Sequence, residues 1–255
     1  MAIVRPFAAL RPAPKYAEKV ISLPYDVMNR EEASKLAEYN PLSFLHICRS
    51  EIDLPGIENP YHPDVYLQAR KNLEDFIDRG VFIRDDRPNF YIYRQTMDGR
   101  IQTGIVGCVS VDEYLDGKIK KHELTRVEKE QDRINHFDVC NANTEPVFLT
   151  YRHTDKLKGL IENWINAHEP AYSFVSEDGI GHMLWAVDEP DFVTSISGCF
   201  ERIPYLYIAD GHHRSASAAK VGLKRRKETP DYSSSEEFNF FMAVIFPDSD
   251  LHIFD

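Results

Sequence analysis

Three features of the chain predict an α+β fold. Aromatic and β-branched runs are paired across Asp98-Gly99 and again near Asp178-Gly179. Asp-Gly between such runs is a strong hairpin signal, because both positions tolerate positive φ. Apolar residues recur at three- and four-residue spacing over 64–79 and 154–167, the pattern of helices with one buried face. Residues 205–219 join an aromatic, β-branched strand to an Ala-rich helix through a short polar turn.

The elements follow in order. Residues 1–28 carry Pro6, Pro12, Pro14 and Pro24, and predict extended chain with a short strand near Val20-Ile21-Ser22. Pro24-Tyr25-Asp26-Val27 predicts a turn, in which Asp26 is either structural or functional. Asn29 with Glu32 has the capping-box spacing, so a helix over 30–39 stops at Asn40-Pro41. Residues 43–47 predict a strand holding His46, and 50–63 a loop. The helix over 64–79 turns Val65, Ala69, Leu73, Phe76 and Ile77 inward and ends at Gly80. Strands over 90–93 and 101–111 form the first hairpin.

A helix over 127–139 sets Glu128 with Asp132 and Lys129 with Arg133 at i,i+4. Like charges at that spacing oppose the helix unless opposite charges or a ligand face them, the plain alternative being a solvated face. Residues 146–151 form a buried-type strand. Thr154 caps a helix to Ala167 with Leu157, Leu160, Ile161, Trp164 and Ile165 inward. Strands over 171–175 and 183–187 make the second hairpin. Pro190 starts a helix whose inward residues include Phe192, Val193, Ile196 and Phe200. A helix over 213–223 ends near Lys224-Arg225-Arg226-Lys227, charges that suit its dipole. Strands over 239–246 and from Leu251 close the chain.

Composition bounds the function. The chain has 255 residues, 43% of them apolar, enough for one large domain or two modest ones. A net charge of −11 counts against a general nucleic-acid binder. Cys48, Cys108, Cys140 and Cys199 are scattered without a Cys-x-x-Cys pair, which suggests reduced thiols rather than disulfides or a zinc knuckle. The first fourteen residues hold Arg5 and Arg11 but no uninterrupted apolar core of signal length, and no apolar run reaches membrane-spanning length. A soluble cytoplasmic protein is expected. Walker, G-x-G-x-x-G, G-x-S-x-G and H-E-x-x-H signatures are absent.

The chemistry concentrates at Asp210-Gly211-His212-His213-Arg214-Ser215. A helix start offers unpaired N–H groups and a positive dipole end, a seat for phosphate. An Asp there can simply cap the helix, but two imidazoles and a guanidinium beside it exceed what packing asks for.

Asp210-Gly211-His212-His213-Arg214 before an Ala-rich helix resembles the loop of the ParB/sulfiredoxin superfamily, and within it the free-serine kinase (SerK) branch. Arg5-Pro6-Phe7, Pro24-Tyr25-Asp26-Val27, His122-Glu123-Leu124-Thr125 with Lys129, Asp132 and Arg133, and Asn143 with Pro146 extend the resemblance over essentially the whole chain, to the SerK-like family of domain of unknown function 1015. The resemblance implies an N-terminal α+β module over 1–115, without counterpart in the kinase, and a ParB/sulfiredoxin-like mixed-sheet core over 116–255. About 85 residues, including extra helices, separate Glu123 from the loop. Family members run well beyond this length, so further residues that complete the site are expected.

The function implied is a phosphotransferase acting on a small hydroxyl-bearing metabolite such as a free amino acid. Glu123 would be the base, with His212 and His213 donating to the transferring group. Asp210, Gly211, His213, Arg214 and Ser215 would hold ATP or ADP, and Asp210 would also face Mg²⁺. His122, Lys129, Asp132 and Arg133 would support the site. The expected partners are a nucleotide and a small substrate, without nucleic acid or membrane, and a homo-oligomer is compatible with this. Two rivals stand beside it. One is a nucleotide-binding regulator or NTPase without an acceptor. The other is a metal-dependent hydrolase using His122, Glu123, His212, His213 and Asp210.

Overall fold

The computed structural model describes residues 2–252. The chain begins with β1 (Val4–Arg5), β2 (Leu10–Pro12), α1 (Ala17–Val20), α2 (Arg30–Ala37), α3 (Leu45–Cys48), the long α4 (Pro63–Asp78) and β3 (Phe82–Arg84). The hairpin β4 (Phe90–Met97) and β5 (Arg100–Ser110) leads through α5 (Val111–Leu115) and β6 (Ile119–Lys120) to α6 (Val127–Cys140). Next come β7 (Val147–Tyr151), α7 (Asp155–Ala167), β8 (Tyr172–Val175), β9 (Gly181–Val187) and α8 (Pro190–Phe200). The described chain closes with β10 (Leu206–Asp210), α9 (His212–Glu228) and β11 (Phe240–Pro247).

The fold is α+β with a mixed sheet. Nine of the described strands form it in the order β6-β10-β7-β11-β5-β4-β9-β8, with β1 against β5 beyond the end of β4. β10 runs parallel to β6, and β7 parallel to β11; the other neighbours are antiparallel. The first hairpin turns as its sequence requires: Asp98 and Gly99 both have positive φ, 51° and 77°. Strands from both sides of residue 115 share this one sheet, because β5 lies between β4 and β11.

Alternation along the strands gives the sheet two different faces. Val147, Leu149, Ile105 and Ile245 join Leu157, Ile161 and Trp164 of α7 and Ile196 and Phe200 of α8 in the main core. Burying each such side chain contributes about 1.5–3 kcal/mol. The opposite register, Phe148, Met242, Val244 and Phe246, lines a cleft instead. Smaller clusters secure the N-terminal helices: Ala69, Leu73 and Phe76 of α4 meet Ile47, Phe82 and Cys140.

Helices α6 and α9 lie side by side and run parallel. Arg126 pairs with His213, Glu130 with Ser217 and Asp138 with Arg225, each at a separation of 87 residues. Buried Ser217, Ala218 and Ala219 keep the contact close. Parallel dipoles repel, and the Lys220–Glu130 and Lys224–Asp138 ion pairs offset this. The basic run at the end of α9 therefore answers particular acids as well as its own helix dipole; Arg226 pairs with Asp112.

Several local expectations are corrected. Residues 20–22 and 43–47 are not strands; Val20 ends α1 and Leu45 begins α3. The two meet where the Phe44 N–H donates to the Val20 carbonyl, 2.9 Å. Ile77 lies outward at 39% exposure, because α4 buries the narrower stripe through Val65, Ala69, Leu73 and Phe76. Thr154 occupies the N-cap of α7 without a side-chain cap bond. Leu251 and His252 are irregular, and the rest of the strand expected there lies outside the described residues. No helix among the described residues is long and apolar enough to cross a membrane.

Candidate functional site

β10 ends at Asp210, Gly211 turns with φ 94°, and α9 begins at His212. Only glycine suits the turn: the φ is left-handed, and a Cβ there would stand 3.2 Å from the Arg214 guanidinium carbon. The backbone N–H groups of residues 212–214 have no hydrogen-bond partner among the described residues. They are the orphan donors of a helix start, aligned with its dipole. Ser215 is not among these donors. Its N–H and its hydroxyl both donate to the Gly211 carbonyl at 2.9 Å, and its side chain is fully buried. A direct Ser215 contact to a ligand, as its place in the loop suggested, would require that hydroxyl to swing out of the helix.

The fold brings Glu123 to this corner. Because β6 and β10 are parallel neighbours, the segment after each strand emerges at the same sheet end. The Glu123 carboxylate lies 3.3 Å from Nδ1 of His212, and the His122 N–H points at Nε2 from 3.5 Å. The His122 ring stacks edge-on, 4.4 Å between centroids. The His122 N–H makes Nε2 the acceptor, which leaves the proton on Nδ1, the nitrogen that faces Glu123. Burial, then the neighbouring His122, push the His212 pKa down and hold it neutral. Both of its nitrogens are engaged within the protein, so His212 orients Glu123 rather than reaching a phosphate. Among the described residues His213 has a partner on one ring nitrogen only: its Nε2 accepts the Arg126 N–H at the start of α6, 3.1 Å. Glu123 itself stays 63% exposed, open to a substrate.

Arg214 faces the other way. It pairs with Asp210 and donates from Nη1 to the Pro146 carbonyl, 2.6 Å. Beyond Pro146 lies a sealed cluster. Arg133 holds Asp132 at 2.8 Å, stacks on the Tyr25 ring at 3.9 Å, and stands 4.0 Å from Glu145. Tyr66 donates to the second Asp132 oxygen, 2.9 Å, and the Tyr25 N–H to Glu145, 3.3 Å. Burial raises the Glu145 pKa. For Arg133, burial works against the charge, and Asp132 and Glu145 outweigh it. The i,i+4 charges of α6 thus separate: Asp132 and Arg133 turn into the protein together, while Lys129 stays near the surface.

Glu145 does not stand out by sequence pattern, and Tyr25 stands out only as part of Pro24-Tyr25-Asp26-Val27, without a role of its own. The signal for Glu145 is faint, a carboxylate at the mouth of an apolar strand. Glu145, Asp210 and Arg214 are among the residues that line the cleft over the sheet, a volume of about 1720 Å³.

A metal centre is not supported by this geometry. Among the described residues no group of three His, Cys, Asp or Glu side chains is arranged to hold an ion. Of the expected ligands, His212 is committed to Glu123, His213 to Arg126 and Asp210 to Arg214. Asp210, paired with Arg214 through Oδ2, remains 64% exposed.

No curated protein and no solved structure matches the chain. A family described as "Protein of unknown function (DUF1015)" matches residues 4–255, the whole run from β1 through the corner and β11. The chain belongs to that family.

Proposed function

We propose that the protein is a nucleotide-dependent phosphotransferase of the ParB/sulfiredoxin type, akin to the free-serine kinase, acting on a hydroxyl-bearing metabolite. The observation that carries this is the meeting of Glu123 with His212 at a helix start whose N–H groups are free. Those N–H groups, reinforced by the adjacent start of α6, suit the phosphate oxygens of ATP or ADP. Mg²⁺, when bound with the nucleotide against Asp210, supplies charge neutralisation. His212 holds Glu123 toward solvent, where its carboxylate takes the proton of the acceptor hydroxyl. That oxygen forms the new bond to phosphorus as the bond to the departing nucleotide oxygen breaks. His213, anchored by Arg126, keeps its Nδ1–H for an oxygen of the transferring group. A cytoplasmic location accords with four cysteines that are all buried and unpaired.

The test is incubation with ATP or ADP, Mg²⁺ and a panel of amino acids and alcohols, followed by mass spectrometry. A phosphorylated acceptor is the expected result. Nucleotide hydrolysis without acceptor, or binding without turnover, would replace the kinase by an NTPase or a nucleotide-gated switch.

A further inference from the structure

Glu123 sits in a loop, residues 122–126, that has little of its own to hold it. Leu124 is 93% exposed, Val127 just past the loop is 82% exposed, and Glu123 faces solvent. Among the described residues, none of the loop's N–H groups bonds to a backbone carbonyl. Three polar bonds fix it instead. The His122 and Arg126 N–H groups each donate to an imidazole of α9, at 3.5 and 3.1 Å. The Thr125 hydroxyl donates to Oε2 of Glu130 in α6, at 2.7 Å. The third bond is the strongest of the set, because its acceptor is a carboxylate; bonds to ionised groups are about twice as strong as neutral ones.

Glu130 is built to stay charged there. Only 8% of its side chain is exposed. Burial works against its charge, and Lys220, then the Thr125 hydroxyl, outweigh burial, so its pKa lies below the ordinary carboxylate value. Lys220 of α9 pairs with its other oxygen, Oε1, and Ser217, one turn earlier in α9, donates to the Glu130 carbonyl at 2.9 Å. The bond to Thr125 is not a helix cap. A cap would accept an N–H from the first turn of α6, whereas this hydroxyl donates to a side chain. The N-cap residue, Arg126, makes no side-chain cap bond. The Glu130 carboxylate thus ties the loop to the two helices whose starts form the corner.

We infer that Glu130 is a positioning residue for Glu123: by accepting the Thr125 hydroxyl, it sets where the Glu123 carboxylate stands against His212. Glu123 and Thr125 are two residues apart, a reach of at most about 7 Å, so releasing one frees the other. A displacement of about 1 Å at a reacting group can cost on the order of 100-fold in rate. Reading the result as lost phosphoryl transfer rests on the phosphotransferase proposal; the latch itself does not.

The experiment compares Thr125→Val, which keeps the shape and removes the hydroxyl, with Thr125→Ser, which restores it, in the full chain. Hydrogen exchange followed by NMR reads the His122 and Arg126 amides. Thr125→Val should speed both at least about ten-fold, with the amides of residues 134–139 in α6 and the melting temperature unchanged. Thr125→Ser should bring both back near the starting rates. In the transfer assay Thr125→Val should lower kcat about ten-fold and leave the nucleotide KM unchanged, the split of a displaced base. A purely structural bond would shift the melt and leave that split unmoved. Glu130→Gln, which keeps an uncharged and weaker acceptor, serves if Thr125→Val does not fold, with a smaller change in the same direction. Unaltered exchange at residues 122 and 126 in a folded variant overturns the inference, as does a full transfer rate in that variant. Absence of transfer by the unaltered protein removes the phosphotransferase reading instead, and the exchange rates still decide the latch.

Discussion

Two polar clusters flank Arg214, and they are built on opposite principles. On one side Glu123 and His212 meet at an open edge, with the carboxylate mostly in solvent. On the other, Arg133, Asp132, Glu145, Tyr25 and Tyr66 are packed away from water. An exposed polar pair contributes little stability, about 0–1 kcal/mol even where both partners are charged, and His212 is neutral. A buried one is costly to break, because each partner left alone is a desolvated charge. The open pair is therefore free to serve chemistry, while the sealed cluster ties α6 to the N-terminal segment and to the strand entry at Pro146.

The largest expected contrast is in acid. His136 lies in α6 one turn beyond Arg133, with Nε2–H donating to the Ile47 carbonyl at 3.0 Å and Thr144 on its other nitrogen. Burial, then Arg133, push its pKa down to about 3. The unfolded chain protonates first, near pH 6.5, so stability is full above that pH and is lost as pH falls from there toward 3. The loss reaches up to roughly 5 kcal/mol at the lower end. His212 acts in the same direction over a narrower window just below 6.5, since its pKa is also lowered. Denaturant titrations between pH 7 and 4 should show the fall, and His136→Gln should flatten it. An unchanged slope in that variant would assign the acid sensitivity elsewhere.

Next in size is Arg133→Ala. It strands Asp132 and Glu145 in the interior and should destabilise the protein by about 3–5 kcal/mol in urea melts. A cost below about 1 kcal/mol would mean that the cluster is wetter than its burial indicates. Smallest in stability is Glu123→Gln, within about 0.5 kcal/mol of the unaltered protein. Its signature is catalytic: phosphoryl transfer should drop on the order of 100-fold with nucleotide affinity retained. A full rate in Glu123→Gln would end its role as base, whatever the stability data show.

Local chemistry was readable from the chain, and long-range pairing was not. Asn29 and Glu32 form the capping box their spacing announced, and the Asp98-Gly99 hairpin turns where its residues allow. The corner at 210–214 was legible because strand, glycine and helix are contiguous. Residues 43–47 misled: five apolar-leaning residues are too few to separate strand from helix. Their outcome was decided by Ser43, which accepts the Leu45 N–H, and by burial of Ile47 against α4. Glu145 stayed hidden because what gives it meaning, Arg133 and Tyr25, comes 12 and 120 residues earlier in the chain.

The constant register of α6 and α9 has a mechanical consequence. Two parallel rods pinned at both ends and in the middle cannot slide independently. A tug on the free amides of α9 is transmitted to α6 through Arg126 and Glu130. From α6 it passes to α4 through the Asp132–Tyr66 bond and to α3 through His136 and Ile47. The N-terminal helices, remote from the corner in sequence, are thus harnessed to whatever fills it.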